Sequence, residues 1–316
     1  MKVLVIGGTR LLGRAVVYHL LESQHRVTVL SRRSENVPPA ATCLEMDRTM
    51  GLNMLGSEPF DIVIDFLAYD GGAVTDALSK ISDALYVMIS STWLTRLHPD
   101  VSVEQPVTRL DQNSLMLLPA VTRGYLLGKR EAESVLFQSR QQGRRATALR
   151  LPIFLGDGDH TGRLDFYRRR SNDGGGIICV NGGYNLTQIA WVEDIARALI
   201  KWLPFASHHS IWDGLTDHGL SVCQIISIIA RGVGQAPNLV DIPSDYLEKY
   251  LPLYLDNEPL WREVSIRPSE QNIFSTTGSI PTPLSKWLCH IKGVPDQSFP
   301  CLRENELALI ERFQLI

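Results

Sequence analysis

The sequence predicts an α/β fold, a doubly wound parallel sheet followed by a smaller, α-rich C-terminal lobe. Three observations carry this. Short apolar runs alternate with amphipathic helical patterns through the first half of the 316 residues, as parallel strands joined by right-handed crossovers require. The first strand–helix junction is rich in glycine. Past Pro152 the alternation stops, glycines cluster at Gly156, Gly158, Gly174 to Gly176 and Gly182-Gly183, and the closing stretch holds aromatics, prolines and short helical patterns.

Residues 2–6 (KVLVI) form a strand apolar enough to be buried on both faces. Gly7, Gly8, Thr9, Arg10, Leu11, Leu12 and Gly13 follow, and a helical pattern begins at once. Strand, glycine turn and helix form the context that makes a glycine pattern a dinucleotide site. Gly7 suits the bend, Gly8 lets a pyrophosphate approach the main chain, and Gly13 lets helix and strand pack closely. The helix N-terminus offers free N–H groups and partial positive charge to phosphates.

The second strand, 26–30 (RVTVL), ends at Ser31-Arg32-Arg33. An NAD site usually places an acid there for the ribose 2′-OH. A small hydroxyl followed by guanidinium groups suits a 2′-phosphate instead, with Arg10 and Arg32 flanking it, so NADP(H) is expected over NAD(H). A third apolar stretch ends at Met46-Asp47-Arg48. Asp47, with Arg48 beside it, is a candidate adenine contact, and a helix cap is its plain alternative. The fourth strand, 60–66 (FDIVIDF), leads to Leu67 and Ala68, where a small residue lets the cofactor pass close to the main chain.

A helix is expected over 72–81, a fifth strand over 84–90, an amphipathic helix over 125–142, a sixth strand over 147–151, and further helices over 191–203 and 221–233, the last capped by Ser221. Residues 97–119 read as irregular. The core is expected over 1–155, with 156–316 completing it at about 185–205 and forming the lobe.

Tyr125 and Lys129 are four residues apart, so they share a helix face. A neighbouring ammonium favours the phenolate and brings a group of reference pKa about 10 into working range. Such a pair moves the proton that accompanies hydride transfer. Ser91 and Thr92 follow the fifth strand, at the sheet edge where α/β ligands bind, and offer a hydroxyl to a substrate oxygen.

The composition is that of an ordinary soluble domain: 44% hydrophobic, 21% charged, net charge −3. No basic arm or stripe points to nucleic acid. Five cysteines without paired spacing read as reduced thiols in a cytoplasmic protein without a zinc site. No apolar run is long enough to cross a bilayer.

Together these pieces resemble the extended, atypical short-chain dehydrogenase/reductases of the NAD-dependent epimerase/dehydratase group. The likeness covers most of residues 1–205: VIGGTRLLG at 5–13, MDR at 46–48, ISST at 89–92, YLLGK at 125–129, LRLPIFLGDGD at 149–159 and WVEDIARAL at 191–199. It implies a Rossmann core, catalytic roles for Tyr125 and Lys129, and Thr92 as the hydroxyl member with Ser91 the alternate. It also implies contact between the nicotinamide amide and the backbone of Pro152, Ile153 and Phe154, a lobe closing over substrate, and a homodimer built on two helices, one carrying Tyr125. The chain departs from the pattern at Arg10, where the group has a glycine, a variant of atypical members that include RNA-binding proteins. An Asn before the catalytic Tyr is matched only by Asn113. Trp93-Leu94 replaces the Asp-Glu that dehydratases carry after the Thr.

The expected function is NADP(H)-dependent reduction of a carbonyl on a small metabolite, with Tyr125 as proton donor and Trp93 suggesting an aromatic or hydrophobic substrate. The alternatives are a sugar-nucleotide epimerase or dehydratase, and a catalytically silent NADP- or RNA-binding relative. Tyr69, Trp93, His160, Arg163, Tyr167, Tyr184 and Gln188 are candidate substrate contacts.

Overall fold

A computed structural model describes residues 1–55, 58–81, 83–96, 107, 110–116, 118–156, 159, 161–216, 219–257, 260, 268–287 and 300–314. Its elements, in chain order, begin with β1 (Lys2–Ile6), α1 (Leu11–Glu22), β2 (Arg26–Ser31), β3 (Thr42–Glu45), α2 (Arg48–Met54), β4 (Ile62–Asp65), α3 (Gly71–Lys80), β5 (Leu85–Ser91), α4 (Trp93–Arg96) and α5 (Gln112–Met116). Next come α6 (Ala120–Gln141), β6 (Ala146–Leu151), β7 (Ile153–Leu155), α7 (Arg163–Asn172), β8 (Ile177–Val180), β9 (Leu186–Thr187), β10 (Ile189–Trp191), α8 (Val192–Trp202) and β11 (Ile211–Asp213). The chain ends with β12 (Leu220–Ser221), α9 (Val222–Gly232), β13 (Leu239–Ile242), α10 (Ser244–Tyr250), α11 (Pro252–Asn257), α12 (Ile273–Thr277), α13 (Leu284–Trp287) and α14 (Pro300–Gln314).

Two units divide these elements. The first takes Met1–Phe154, Val192–Thr216 and Ile266–Pro281. Its seven strands run parallel in the order β11-β6-β5-β4-β1-β2-β3. Side-chain alternation along each strand sorts the two faces. Leu4, Ile6, Val63, Tyr86, Met88, Ala146 and Ala148 pack against Leu52, Val74, Ala77, Ala132 and Leu136 of α2, α3 and α6. Val5 and Val29 point the other way, toward Val17 of α1. With both faces covered the strands are apolar throughout, so they read as runs rather than alternations.

The chain returns to this unit through residues 268–277, a segment that sequence reading left in the lobe. The return is fastened at the C-terminal end of β11. There the buried Asp213 carboxylate accepts hydrogen bonds from Leu215 N–H at 3.0 Å, Ser269 N–H at 2.8 Å, the Ser269 hydroxyl and the Asn272 amide. Helix α6 begins at Ala120, five residues ahead of the expected start at Tyr125, with Pro119 at its N-cap. Proline there supplies a φ of −53° and has no N–H to strand.

The second unit takes Leu155–Trp191, Asp217–Ser265 and Thr282–Ile316. A parallel β8–β13 pair packs with α10, α11 and α14 around Ile178, Ile242, Leu247, Tyr254 and Ile310. Ser221 caps α9 with a full capping box, its hydroxyl accepting Gln224 N–H while the Gln224 side chain accepts Ser221 N–H. Trp191 and Trp287 stack at 5.2 Å. Among the described residues no helix is long and apolar enough to cross a membrane, and no group of three or more His, Cys, Asp or Glu could hold a metal ion.

Candidate active site

The glycine turn joins β1 to α1 at the C-terminal edge of the sheet. Gly7 has φ +86°, a left-handed value glycine adopts freely, and a Cβ on it would lie 2.7 Å from the Leu67 side chain. At Gly13 a Cβ would lie 2.8 Å from the Gly7 carbonyl oxygen. Gly8 differs from the expectation of a phosphate-facing position: the space beside it is filled by Val17 and Val5, at 2.8 and 2.9 Å from where a Cβ would stand. It is therefore glycine for the packing of α1 on the sheet. Leu11 opens α1 at φ +30°, which strains a leucine. That strain falls one residue after Arg10, the position where the resembling group carries glycine.

Among the described residues no side chain caps α1, and its first turn holds no acid. Its N–H groups, uncapped by any side chain, and the Gly7 bend therefore fit a dinucleotide pyrophosphate. Thr9 and Ser31 hydroxyls meet at 3.2 Å, and Ser31 Oγ also accepts Arg33 N–H at 3.3 Å. These bonds tie the loop after β2 to the phosphate turn. Arg10 and Arg32 are both solvent-exposed.

The structure gives Asp47 the helix-cap alternative and turns Arg48 inward. Asp47 caps α2, its carboxylate accepting Thr49 N–H at 2.9 Å. Arg48 folds inward and bonds Asp65 at 2.5 Å and the Ala73 carbonyl at 2.8 Å. A guanidinium committed to a buried carboxylate is a structural ion pair, so the Arg48 side chain is corrected from cofactor contact to a half-buried partner of Asp65. Asp65 also accepts Tyr86 Oη at 2.7 Å and Leu67 N–H at 2.8 Å. Burial pushes the Tyr86 phenol well above its ordinary range, so it stays a donor.

Tyr125 and Lys129 project from one face of α6. Tyr125 is 38% exposed and Lys129 2%. The Lys129 ammonium donates to the Ile89 carbonyl at 2.7 Å and the Ala68 carbonyl at 2.9 Å. These bonds pin α6 to the ends of β5 and β4. Burial pushes the ammonium down to about 8, against the pull of Asp65 and Glu133 toward the charged form. Ser91 is half-buried, and its Oγ accepts Trp93 N–H at 3.2 Å. Thr92 is buried, with its hydroxyl 3.3 Å from the Leu151 carbonyl. That bond ties the hydroxyl to the end of β6, next to buried Pro152 and half-buried Ile153 and Phe154.

Two residues of this neighbourhood were missed in the sequence. Glu133 lies one turn beyond Lys129 and is fully buried, accepting Arg150 Nε at 2.9 Å and Arg150 Nη2 at 2.5 Å, with Ser90 Oγ at 2.7 Å. Their signal was available: Arg150 interrupts an apolar strand run, and charges of that kind are buried only when paired.

The expected substrate contacts separate. Tyr69 is half-exposed beside Tyr125, ring centroids 6.5 Å apart. Trp93 packs against a cluster of Leu94, Val107, Leu110, Leu115 and Leu126, which accounts for its size without a substrate. Asn113 is exposed on α5. His160 lies outside the described residues. The others belong to the second unit. Tyr167 is fully buried and packs on Phe166 at 5.2 Å, so it is corrected to a core residue. Gln188 is buried as well, Arg163 is half-buried, and Tyr184 is 76% exposed.

Comparison with known proteins agrees with this architecture. Residues 3–95 match the NAD dependent epimerase/dehydratase family. No curated protein matches the chain in sequence. Among solved structures, UDP-glucose 4-epimerase from Thermotoga maritima with UDP-glucose is 17% identical, covers 100% of each chain and superposes with a TM-score of 0.65. UDP-N-acetylglucosamine 4-epimerase from Bacillus cereus is 16% identical over 91% of this chain and 96% of its own, with a TM-score of 0.65. UDP-glucose 4-epimerase of Thermus thermophilus with NAD is 17% identical over 91% and 96%, with a TM-score of 0.63. The first strands and turns thus carry the sequence pattern of the NAD dependent epimerase/dehydratase family, and the chain shares the fold of these epimerase structures along its length.

Proposed function

We propose that this enzyme uses a bound NAD(P) to oxidise and re-reduce a carbon of a nucleotide-linked sugar, inverting its configuration, with Tyr125 as the acid–base group. The observation that carries the reading is the Tyr125–Lys129 pair on α6, held by the Ile89 and Ala68 carbonyls at the strand ends. The solved relatives support the substrate class, since the Thermotoga and Bacillus proteins are UDP-sugar epimerases. This replaces net reduction of a free carbonyl as the leading reading, because nothing in the site requires an aromatic substrate once Trp93 is accounted for by its packing.

NAD(P), when bound, would supply the hydride acceptor and donor. The residues of this chain do the rest. The phosphate turn and the α1 N-terminus hold the pyrophosphate. Tyr125 takes the proton of a sugar hydroxyl and later returns it. The Lys129 ammonium favours the phenolate, and Ser91 or Thr92 fixes the reacting oxygen. Thr92 would have to rotate away from Leu151 to do so, whereas Ser91 keeps its O–H available while accepting Trp93 N–H.

The same reading prefers NADP(H) over NAD(H). Ser31 ends β2 where an acid would repel a 2′-phosphate, and exposed Arg10 and Arg32 border that strand end and the turn. The test supplies UDP-glucose and UDP-N-acetylglucosamine to the purified protein with trace NADP⁺ or NAD⁺ and follows the sugar protons by NMR. Isomerisation without net change in the cofactor supports the reading. Stoichiometric NADPH oxidation with simple ketones, and no isomerisation, restores the reductase.

A further inference from the structure

Tyr69 has no role in the chemistry described so far, yet its surroundings fix it in place. Its N–H bonds the Leu67 carbonyl at 2.9 Å, and the next residue, Asp70, caps α3 through Ala73 N–H at 2.8 Å. Helix α6 crosses directly over it at Gly128, where any Cβ would collide with the Tyr69 carbonyl oxygen. The backbone is therefore held between a turn, a cap and a helix, while 52% of the residue stays exposed. A large half-exposed aromatic on a rigid backbone is a placed group rather than a surface accident.

What it is placed against is Lys129. The ammonium lies 5.1 Å from the Tyr69 ring centroid and 5.8 Å from that of Tyr125, both within cation–π range. The two rings meet edge to face, 61° apart. An ammonium has three N–H donors, and two go to Ala68 and Ile89. The two rings stand beside the ammonium, and the lysine is only 2% exposed although it lies at the sheet edge.

We infer that Tyr69 is a positioning residue of the active site: its ring keeps water from the Lys129 ammonium and holds it against Tyr125. It acts through Lys129, and the inference rests on the reading of Tyr125 and Lys129 as the acid–base pair. The ring face, and not the hydroxyl, does this. Among the described residues, two rings and two carboxylates act on the ammonium. Tyr69 follows β4 and Tyr125 lies on α6. Asp65 ends β4 and is already paired with Arg48 and Tyr86. Glu133, on α6, is already paired with Arg150. With both carboxylates so occupied, loss of water contact is the main influence on Lys129, in line with its ionisation near 8.

The test compares wild type, Tyr69→Phe, Tyr69→Ala and Tyr69→Gln. Lys129 is followed by competitive acetylation with acetic anhydride and peptide mass spectrometry across the neutral-to-alkaline range, and circular dichroism checks folding. In wild type and Tyr69→Phe, Lys129 should label slowly with a midpoint near 8. In Tyr69→Ala it should label several-fold faster, with the midpoint moved up toward the ordinary lysine value of roughly 10.4. Tyr69→Gln keeps the length, removes the apolar cover and carries the same expectation should the alanine variant misfold. Identical labelling in all four proteins overturns the inference, as does a Tyr69→Phe that behaves like Tyr69→Ala. If the labelling changes as expected but no variant, wild type included, converts a nucleotide sugar, the functional reading fails and the positioning role stands.

Discussion

Both units bury arginine–carboxylate pairs, but they use them differently. In the first unit Glu133–Arg150 and Asp65–Arg48 lie beneath the sheet edge, and both carboxylates act on Lys129. In the second, Arg170 lies flat on Phe166 and bonds Glu306, while Arg303 joins Glu306 at 3.1 Å and Asp173 at 2.7 Å. That cluster fastens α14 to α7 and touches no residue with a chemical assignment. The same ion chemistry thus serves as a charged floor under a candidate active site in one unit and as a helix clamp in the other. Burial alone does not mark a functional charge. What distinguishes the first cluster is a third ionisable group, Lys129, whose bonds go to carbonyls and not to a carboxylate among the described residues.

The comparison breaks most sharply at its carboxylates. Glu133→Ala and Glu306→Ala each take the carboxylate from a buried arginine, and each should cost about 3–5 kcal/mol in urea unfolding. Only Glu133→Ala should also impair turnover beyond its effect on stability, seen in the folded fraction at low denaturant. Equal loss of turnover in both variants would erase the distinction.

Lys129 comes next. Its folded ionisation lies below the ordinary value, so between about 8 and the ordinary lysine range the folded chain binds fewer protons than the unfolded one. Stability from this group therefore rises with pH across that window, by at most about 3 kcal/mol. Lys129→Met should remove the rise, measured as urea midpoints at neutral and alkaline pH. Turnover that uses the ammonium should fall over the same window.

The double variant Arg10→Ala/Arg32→Ala should weaken NADPH binding by about 1–3 kcal/mol for each charged hydrogen bond lost, with NADH binding unchanged by calorimetry. Retained NADPH preference would remove the 2′-phosphate assignment. The smallest effect is expected at Ser221→Ala, which loses the capping box of α9 and should cost about 1 kcal/mol without altering cofactor binding.

Legibility in the sequence follows the distance between partners. The glycine turn and the Tyr125–Lys129 face are written in one short segment each, where spacing alone sets geometry, and the strands appear as apolar runs. The ion pairs are not local. Arg48 reaches Asp65 at the end of β4 because α2 packs against α3, and Glu133 reaches Arg150 because α6 turns back along β6. A glutamate in an amphipathic helix otherwise reads as solvent-facing. Arg48 looked like a cofactor contact beside Asp47 for the same reason, and Tyr167 looked like a pocket residue because glycines flank its helix. The return of 268–277 to the sheet rests on Asp213, Ser269 and Asn272, polar residues whose pattern carries no periodicity.

The most direct test of the account compares Tyr125→Phe with wild type in nucleotide-sugar isomerisation, with NADPH binding measured in parallel. Tyr125 is partly exposed, so the fold and cofactor affinity should be kept while turnover falls by about 10²–10⁴-fold. A Tyr125→Phe enzyme that isomerises the sugar at the wild-type rate would contradict the acid–base role on which the account depends.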